Sequence, residues 1–246
     1  MKQLVAYITS AYPEKNFTQD LAYALFENGV DTLELGIPFS DPVADGPLIE
    51  KANLTALQNG YRFQDTLDIS QTIAKDLDIL WMGYFNSFYQ QGMENILQKA
   101  KELGVKGTII PDLPYEETLC YEALFDKYDL VNISFVAPTD PKERIKQIVK
   151  KAKKFIYMVA YTGITGSGKD EDLEPFINSI KEFSQTPVYV GFGVNEKTAR
   201  QKAQHSDGVI VGSAFIKILL DDSKTLSQKI QECSNLASTI KNEINA

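Results

Sequence analysis

Short apolar runs and longer segments of helical periodicity alternate along the whole chain of 246 residues. The short runs are rich in β-branched and aromatic residues, which is typical of buried strands. They are Leu4–Thr9, Thr32–Ile37, Ile79–Gly83, Gly107–Pro111, Leu130–Phe135, Phe155–Ala160, Val188–Gly191 and Gly208–Val211. The pattern therefore predicts eight strands.

The segments between these runs carry apolar residues at helical spacing. The predicted helices are Thr18–Glu27, Phe63–Lys75, Met93–Leu103, Tyr115–Lys127, Lys142–Lys151, Asp172–Phe183, Glu196–Gln204 and Ser227–Glu243. Strands that alternate with helices pair in parallel through right-handed crossovers. Eight such units predict an α/β fold, a (β/α)8 barrel. A doubly wound open sheet is the alternative, but it needs a topological switch point and usually has fewer units.

Two connections are longer than the others. The one after the second strand holds a proline-rich loop and an extra helix, Leu48–Asn59. The one after the sixth strand, residues 161–169, is rich in glycine, and we expect a mobile loop there. Loops that follow barrel strands line the catalytic face. Since no linker or low-complexity run interrupts the chain, we expect residues 1–246 to form a single domain.

Composition excludes several classes of function. A formal net charge of −8 disfavours nucleic acid and anionic membranes as partners, and no apolar run approaches the length of a membrane span. The chain has one histidine, His205, and two distant cysteines, Cys120 and Cys233, so we expect neither a metal site nor a histidine triad. With no signal peptide before Leu4, we expect a cytoplasmic protein with reduced thiols.

The segment from Leu33 to Pro47 starts as a strand and continues as a stiff acidic loop with three prolines. Alternation along the strand places Glu34 on the face opposite its leucine neighbours, which points it into the barrel. Asp45 follows in the loop. Two carboxyl groups in one apolar pocket can divide acid and base duty because their surroundings separate their pKa values. Alternatively, Glu34 is a core carboxylate in a salt bridge and Asp45 is a turn residue.

Glycines follow the last three predicted strands, and the most informative are Gly193 and the pair Gly212-Ser213. Backbone N–H groups of such loops bind phosphate without a lysine, and phosphate sites after strands seven and eight recur in barrels. The alternative is that these glycines only form tight turns. Aromatic or apolar residues also sit near strand ends, namely Tyr7, Met82, Tyr84, Tyr157 and Phe192. Together these features predict a flat apolar ligand with a phosphorylated tail.

These motifs resemble one known family, the α subunit of tryptophan synthase. Residues 33–47 (LELGIPFSDPVADGP) match the motif of that family closely, and the likeness extends over essentially the whole chain through GTIIPDLP at 107–114, GITG at 163–166 and GFG at 191–193. The resemblance implies a (β/α)8 barrel that cleaves indole-3-glycerol phosphate to indole and D-glyceraldehyde 3-phosphate.

The resemblance also assigns roles. Glu34 is expected to be the general acid–base, and Asp45 to accept a hydrogen bond from the indole N–H. Thr165 is the expected lid residue, which meets Asp45 on closure. The residues expected to bind phosphate or line the substrate pocket are Gly166, Gly193, Gly212, Ser213, Tyr157, Tyr7, Tyr84 and Phe192. The chain departs from the family at Tyr161-Thr162, where many members have arginine, which affects the expected strength of lid closure.

A partner subunit is also implied. The resemblance predicts an α2β2 heterotetramer with a β subunit whose pyridoxal phosphate condenses indole with serine, and no cofactor or metal in this subunit. The expected contact residues are Pro38, Phe39, Asp41, Asn86, Asp112 and Pro114. Alternatively, these residues only form the walls of the active site.

Two other functions compete with the lyase. One is a different phosphate-binding barrel, such as an isomerase or indoleglycerol-phosphate synthase, which usually has a lysine or cysteine at a strand end. The other is a barrel kept as an allosteric activator of a partner, which loss of Glu34 or Asp45 would have favoured. Both carboxylates are present, so the sequence favours the lyase.

Overall fold

The computed structural model describes residues 1–159 and 173–246. Within these ranges nine strands form one sheet in which every pairing is parallel. The strands are β1 (Gln3–Thr9), β2 (Thr32–Gly36), β3 (Ile79–Met82), β4 (Gly107–Ile109), β5 (Val131–Asn132), β6 (Ser134–Val136), β7 (Ile156–Val159), β8 (Val188–Gly191) and β9 (Gly208–Val211). Their order in the sheet is β5-β4-β3-β2-β1-β9-β8-β7-β6.

The two edge strands of this order are successive pieces of one chain segment. The predicted strand Leu130–Phe135 divides at Ile133: β5 pairs with β4, and β6 pairs with β7. The backbone N–H of Ile133 still donates to the Thr108 carbonyl, 2.9 Å away. The sheet thus closes through the chain itself. The barrel prediction is confirmed, and the strand count rises from eight to nine because one strand is split.

Helices surround the sheet. They are α1 (Lys15–Glu27), α2 (Pro47–Gln58), α3 (Phe63–Ile73), α4 (Phe85–Gln91), α5 (Met93–Leu103), α6 (Tyr115–Thr118), α7 (Glu122–Tyr128), α8 (Lys142–Lys150), α9 (Glu174–Lys181), α10 (Ala199–Ala203), α11 (Ser213–Leu219) and α12 (Leu226–Asn245), with a 3-10 turn at Leu119–Tyr121. The predicted extra helix is α2, and it begins at Pro47, whose fixed φ suits the first helical position.

Periodicity did not predict α4, because its seven residues are mostly aromatic or polar side chains of low helix propensity. The predicted helix Tyr115–Lys127 is interrupted by the 3-10 turn. The helix after Gly212, which only the resemblance had indicated, is α11. No helix within the described ranges is long and apolar enough to cross a membrane.

Two apolar layers hold the barrel together. The inner layer fills the barrel and consists of Val5, Leu80, Ile109, Ile133, Phe155, Tyr189 and Ile210. The outer layer lies between strands and helices and includes Leu33, Leu35 and Trp81. Because the leucines of β2 face the helices, Glu34 between them faces inward, as alternation predicted. Its register partner on β3, Leu80, belongs to the inner layer.

Ion pairs close the end of the barrel at which the strands begin. Lys154, just before β7, pairs with Asp78, just before β3, at 2.5 Å between Nζ and Oδ2. Lys241 of α12 pairs with Asp31 before β2 at the same distance. The neighbouring Lys151 and Lys153 pair with Glu122 and Asp126 of α7. The candidate site lies at the opposite end, where the strands finish.

Candidate active site

A cavity of about 900 Å³ occupies the carboxyl ends of the strands. It is lined by eight of the residues that the sequence assigned to a site: Tyr7, Glu34, Asp45, Tyr157, Phe192, Gly193, Gly212 and Ser213. A second cavity, of about 260 Å³, lies between α7 and α8 and contains neither predicted carboxylate. Acidic, aromatic and glycine residues from distant parts of the sequence are therefore brought to one place by the barrel.

Glu34 is the most deeply buried carboxyl group of this cavity, with 3% of its surface exposed. Its Oε1 has no hydrogen-bond partner among the described residues. Burial, followed by repulsion from Asp45, raises the pKa of Glu34 to about 8. A buried carboxyl group without a partner takes up a proton rather than remain charged. At neutral pH Glu34 is therefore a carboxylic acid that can donate a proton into the cavity.

Asp45 is only partly buried, at the end of the acidic loop. Burial raises its pKa to about 6, and hydrogen bonds from Tyr84 and Asn53 oppose that rise. The Asn53 Nδ2 lies 3.4 Å from Oδ2 of Asp45. At neutral pH Asp45 is thus largely a carboxylate beside a protonated Glu34, the division of roles that acid–base catalysis needs.

Tyr84 supports the acidic loop from behind and does not line the cavity. It is 1% exposed, its ring stacks on Phe39 at 5.3 Å between centroids, and its hydroxyl accepts a hydrogen bond from the Ala44 N–H at 3.0 Å. The same hydroxyl bonds to Asp45. The structure therefore places Tyr84 in contact with a predicted site residue rather than facing the space open to a ligand.

Tyr7 and Tyr157 form aromatic walls of the cavity that holds Glu34. Tyr7 on β1 is the register partner of Glu34, and Tyr157 stacks on Phe135 at 4.8 Å between centroids. Each ring lies against a glycine of the next strand: a β-carbon at Gly36 would overlap Tyr7, and one at Gly191 would overlap Tyr157. The two glycines thus allow the large rings to cross the mouth of the barrel.

The far end of the cavity is made by the segments that follow β8 and β9. Gly193 has φ of +69°, and Phe192 before it has φ of +76°, a conformation rare for an aromatic residue. The Phe192 ring is 42% exposed and packs edge-on against Tyr157 at 6.4 Å between centroids. Gly212 and Ser213 line the same cavity from the adjacent strand end. Strain of this kind concentrates at functional sites.

Two predicted site residues, Thr165 and Gly166, lie outside the described residues, as does the predicted mobile loop at 161–169. Of the predicted partner residues, Asp41, Asn86, Asp112 and Pro114 are exposed, Phe39 is half-buried and Pro38 is buried. The Asp112 carboxylate accepts a hydrogen bond from the Phe85 N–H at 2.7 Å and so fixes the start of α4. Within 1–159 and 173–246, no group of three or more His, Cys, Asp or Glu residues could hold a metal ion.

Asn53 and Thr9 were not predicted from the sequence, and they contact the aromatic and acidic residues of the cavity. Asn53 is a single amide beside the buried small residues Ala52 and Ala56 of α2. A buried polar side chain needs partners, but the sequence shows the amide without showing its burial, so it gave no signal for this site.

Comparison with known proteins agrees with this geometry. The family model described as "Tryptophan synthase alpha chain" matches residues 1–245. The tryptophan synthase alpha chain of Wolinella succinogenes is 54% identical over 247 residues, covering 100% of this chain and 97% of the relative. The one from Aquifex aeolicus is 38% identical, covering 98% and 92%.

Solved structures give the same result. The tryptophan synthase subunit alpha of Legionella pneumophila matches with a TM-score of 0.90 at 34% identity, over 99% of this chain and 93% of that one. A chain of tryptophan synthase from Mycobacterium tuberculosis matches with a TM-score of 0.89 at 30% identity, over 100% and 93%. The chain therefore belongs to the tryptophan synthase alpha chain family, a family of lyases in tryptophan biosynthesis.

Proposed function

We propose that this chain cleaves indole-3-glycerol phosphate by a retro-aldol reaction and releases indole and D-glyceraldehyde 3-phosphate. The observation that carries the proposal is the buried Glu34, whose Oε1 has no partner among the described residues, in one cavity with Asp45. The cavity also combines aromatic walls with glycines at two adjacent strand ends, which suits an indole ring joined to a phosphate.

The reaction follows from the two carboxyl groups. Glu34, as a carboxylic acid, gives its proton to C3 of the indole, and the positive charge that appears on the ring nitrogen is stabilised by the Asp45 carboxylate. The Glu34 carboxylate then takes the proton of the glycerol hydroxyl next to the ring. The carbon–carbon bond breaks, its electrons return to the indole, and the hydroxyl carbon becomes an aldehyde. Glu34 ends protonated, as it began.

We assign the phosphate to Gly193, Gly212 and Ser213, with Gly166 from the segment after β7. Backbone N–H groups can bind a phosphate dianion without a lysine. We further propose that Thr165 meets Asp45 when the loop closes over substrate, and that Tyr7, Tyr157 and Phe192 enclose the indole ring. Tyr84 acts from behind, through its hydrogen bond to Asp45.

The competing barrel chemistry finds no support in the cavity. An isomerase or indoleglycerol-phosphate synthase usually needs a lysine or cysteine at a strand end. Within residues 1–159 and 173–246, the lysines that line this cavity are Lys197, Lys217 and Lys224, which come from α11 and from segments between elements, not from strands. Cys120 is exposed in the 3-10 turn and Cys233 is buried in α12, and neither lines the cavity.

We propose that the indole passes to a β subunit that carries pyridoxal phosphate, within a cytoplasmic α2β2 heterotetramer whose α subunit, residues 1–246, is one domain without a cofactor of its own. We propose that the β subunit binds a surface of exposed residues and the half-buried Phe39. The exposed residues are Asp41, Asn86, Asp112 and Pro114. Since Pro38 is buried, we assign it to the shape of the loop rather than to direct contact.

The test is release of indole from indole-3-glycerol phosphate by the purified chain, with and without a tryptophan synthase β subunit. We expect slow release by the chain alone, a large increase with the partner, and one aldehyde triose phosphate formed per indole. Binding of substrate without cleavage, even with the partner present, would instead indicate a barrel that only activates the partner.

A further inference from the structure

Asn53 is an amide buried where the chemistry proposed above takes place. It lies in α2, nearly two turns after the acidic loop ends, and 1% of its surface is exposed. Its neighbours on the buried side of α2 are Ala52 and Ala56, which offer no hydrogen bonds from their side chains. Burial of an amide is unfavourable unless both of its ends are bonded, so the partners of Asn53 are informative.

Both ends of the amide face groups of the cavity. The Nδ2 lies 3.4 Å from Oδ2 of Asp45 and donates to it. The Oδ1 accepts from the Tyr7 hydroxyl at 3.5 Å, and that hydroxyl lies 3.4 Å from Oγ1 of Thr9. The distances are long for hydrogen bonds, as is common at catalytic contacts before substrate binds. The Asp45 carboxylate fixes which end of the amide faces it, because an ionised carboxylate only accepts hydrogen bonds, and Oδ1 is then left to accept from the Tyr7 hydroxyl.

We propose that Asn53 is a positioning residue for Asp45: its amide, held at Oδ1 by the Tyr7 hydroxyl, aims the carboxylate into the cavity so that it can receive the indole N–H. The proposal rests on the proposed lyase function. Asn53 does not touch the reacting atoms in this account. It acts through Asp45. Because Asn53 in α2 contacts both Asp45 and Tyr7, it also connects the acidic loop to β1.

The ionisable side chains around Asp45 explain why its contact with Asn53 matters. Glu34 on β2 shares the cavity with it, Tyr84 bonds to it from the segment after β3, and Tyr7 and Tyr157 interact with it from β1 and β7. Burial raises the pKa of each of these tyrosines, so they remain neutral near pH 7. Among the described residues, the side-chain donors that lower the pKa of Asp45 are Tyr84 and Asn53. Loss of Asn53 therefore removes one of these two donors.

The variants Asn53→Ala and Asn53→Asp test this role. We expect kcat for indole release to fall about 10- to 100-fold in Asn53→Ala, with a smaller change in KM, because a hydrogen bond to a charged group is lost. The acid limb of the pH profile should move up by about one unit in Asn53→Ala and further in Asn53→Asp, which adds a second carboxyl group. Tyr7→Phe should move it less, in the same direction.

Ser70→Ala is the matched control. It removes a buried hydrogen bond, from the Trp81 indole to Ser70 at 2.8 Å, that does not involve the cavity. We expect it to lower thermal stability without moving the acid limb. An unchanged acid limb in Asn53→Ala, or an equal loss of activity at all pH values, would overturn the proposal.

Titration of Asp45 followed by 13C NMR of its carboxyl carbon separates this inference from the function. It needs no turnover, so it reads the Asn53–Asp45 contact even if the wild type does not cleave the substrate. We expect the Asp45 pKa to be higher in Asn53→Ala than in the wild type and unchanged in Ser70→Ala. Identical Asp45 titration in wild type and Asn53→Ala would reject the positioning role, whatever the outcome for cleavage.

Discussion

At the residue scale, the burial that prepares Glu34 for catalysis opposes folding. The ordinary pKa of the side chain is 4.5, and the folded protein raises it to about 8. Between these values the folded state holds a proton that the unfolded state has lost. Folding therefore becomes less favourable as pH rises through this window. The burial of Glu34 lowers the stability of the protein, which indicates that this side chain is retained for function.

Glu34→Gln should accordingly stabilise the protein at alkaline pH. The neutral amide has nearly the same shape and no charge to bury. We expect its free energy of unfolding to exceed that of the wild type by on the order of 2–4 kcal/mol at pH 8, and to differ little at pH 5. Urea unfolding at the two pH values measures the difference. The exposed Glu27→Gln is the control and should match the wild type at both. Equal stability of Glu34→Gln and wild type at pH 8 would show that Glu34 is solvated.

The same two pKa values predict the pH dependence of catalysis. Asp45 must be ionised and Glu34 protonated, so kcat/KM should rise with an apparent pKa of about 6 and fall with one of about 8. The two apparent pKa values of this profile belong to the coupled pair of carboxyl groups and not to either residue alone. Steady-state kinetics between pH 5 and 9 checks this. A profile flat across that range would contradict the assignment of roles.

The sequence predicted the inward direction of the Glu34 side chain, because a charged residue between two leucines of a strand faces inward when the leucines face helices. It could not predict Asn53, since an amide within a helix has no strand alternation to fix its direction, and its partners Asp45 and Tyr7 come from other elements. It gave no indication that Tyr84 lies behind the acidic loop, because the loop that covers this side chain has no periodic pattern to reveal its path.

At the element scale, the site depends on strand ends that lack side chains. Gly36 ends β2 directly beside the Tyr7 ring. The glycine at this position was visible in the sequence, near the end of the predicted strand Thr32–Ile37. Its packing role was not visible, because the ring that lies against it belongs to β1.

Gly36→Ala should therefore perturb both stability and activity. The added methyl group overlaps Tyr7 and must displace it or the strand, at a cost of about 1–3 kcal/mol of unfolding free energy. Because Tyr7 stands beside Glu34, we expect indole release to fall as well. Gly46→Ala is the control for stability: its β-carbon meets no atom within 4 Å, and φ is −81°. Thermal unfolding that ranked the two variants equally would contradict this account of the packing.

The split of the predicted fifth strand shows a further limit at this scale. The sequence indicated one strand at Leu130–Phe135, yet β5 and β6 belong to opposite edges of the sheet order. Hydrophobic pattern gives the strand but not the neighbour with which each half pairs, because pairing depends on the positions of β4 and β7. The short α4 escaped prediction because its seven residues carry little helical preference of their own.

At the scale of the whole molecule, the stabilising ion pairs and the candidate active site lie at opposite ends of the barrel. The end where strands begin is closed by ion pairs such as Lys154–Asp78, which spans from β7 to β3. The end where strands finish holds Glu34, Asp45 and the glycine segments in one cavity. The alternation of eight strand and helix units was sufficient to predict this arrangement, since active sites of such barrels lie at the carboxyl ends of the strands.

We assign to Glu34 the exchange of the proton that drives cleavage. The decisive experiment compares indole release from indole-3-glycerol phosphate by wild type and Glu34→Gln, each saturated with a β subunit. We expect the variant to bind substrate but to release indole at least about 100-fold more slowly, as expected for loss of a general acid–base. Indole release by Glu34→Gln at the wild-type rate would contradict it.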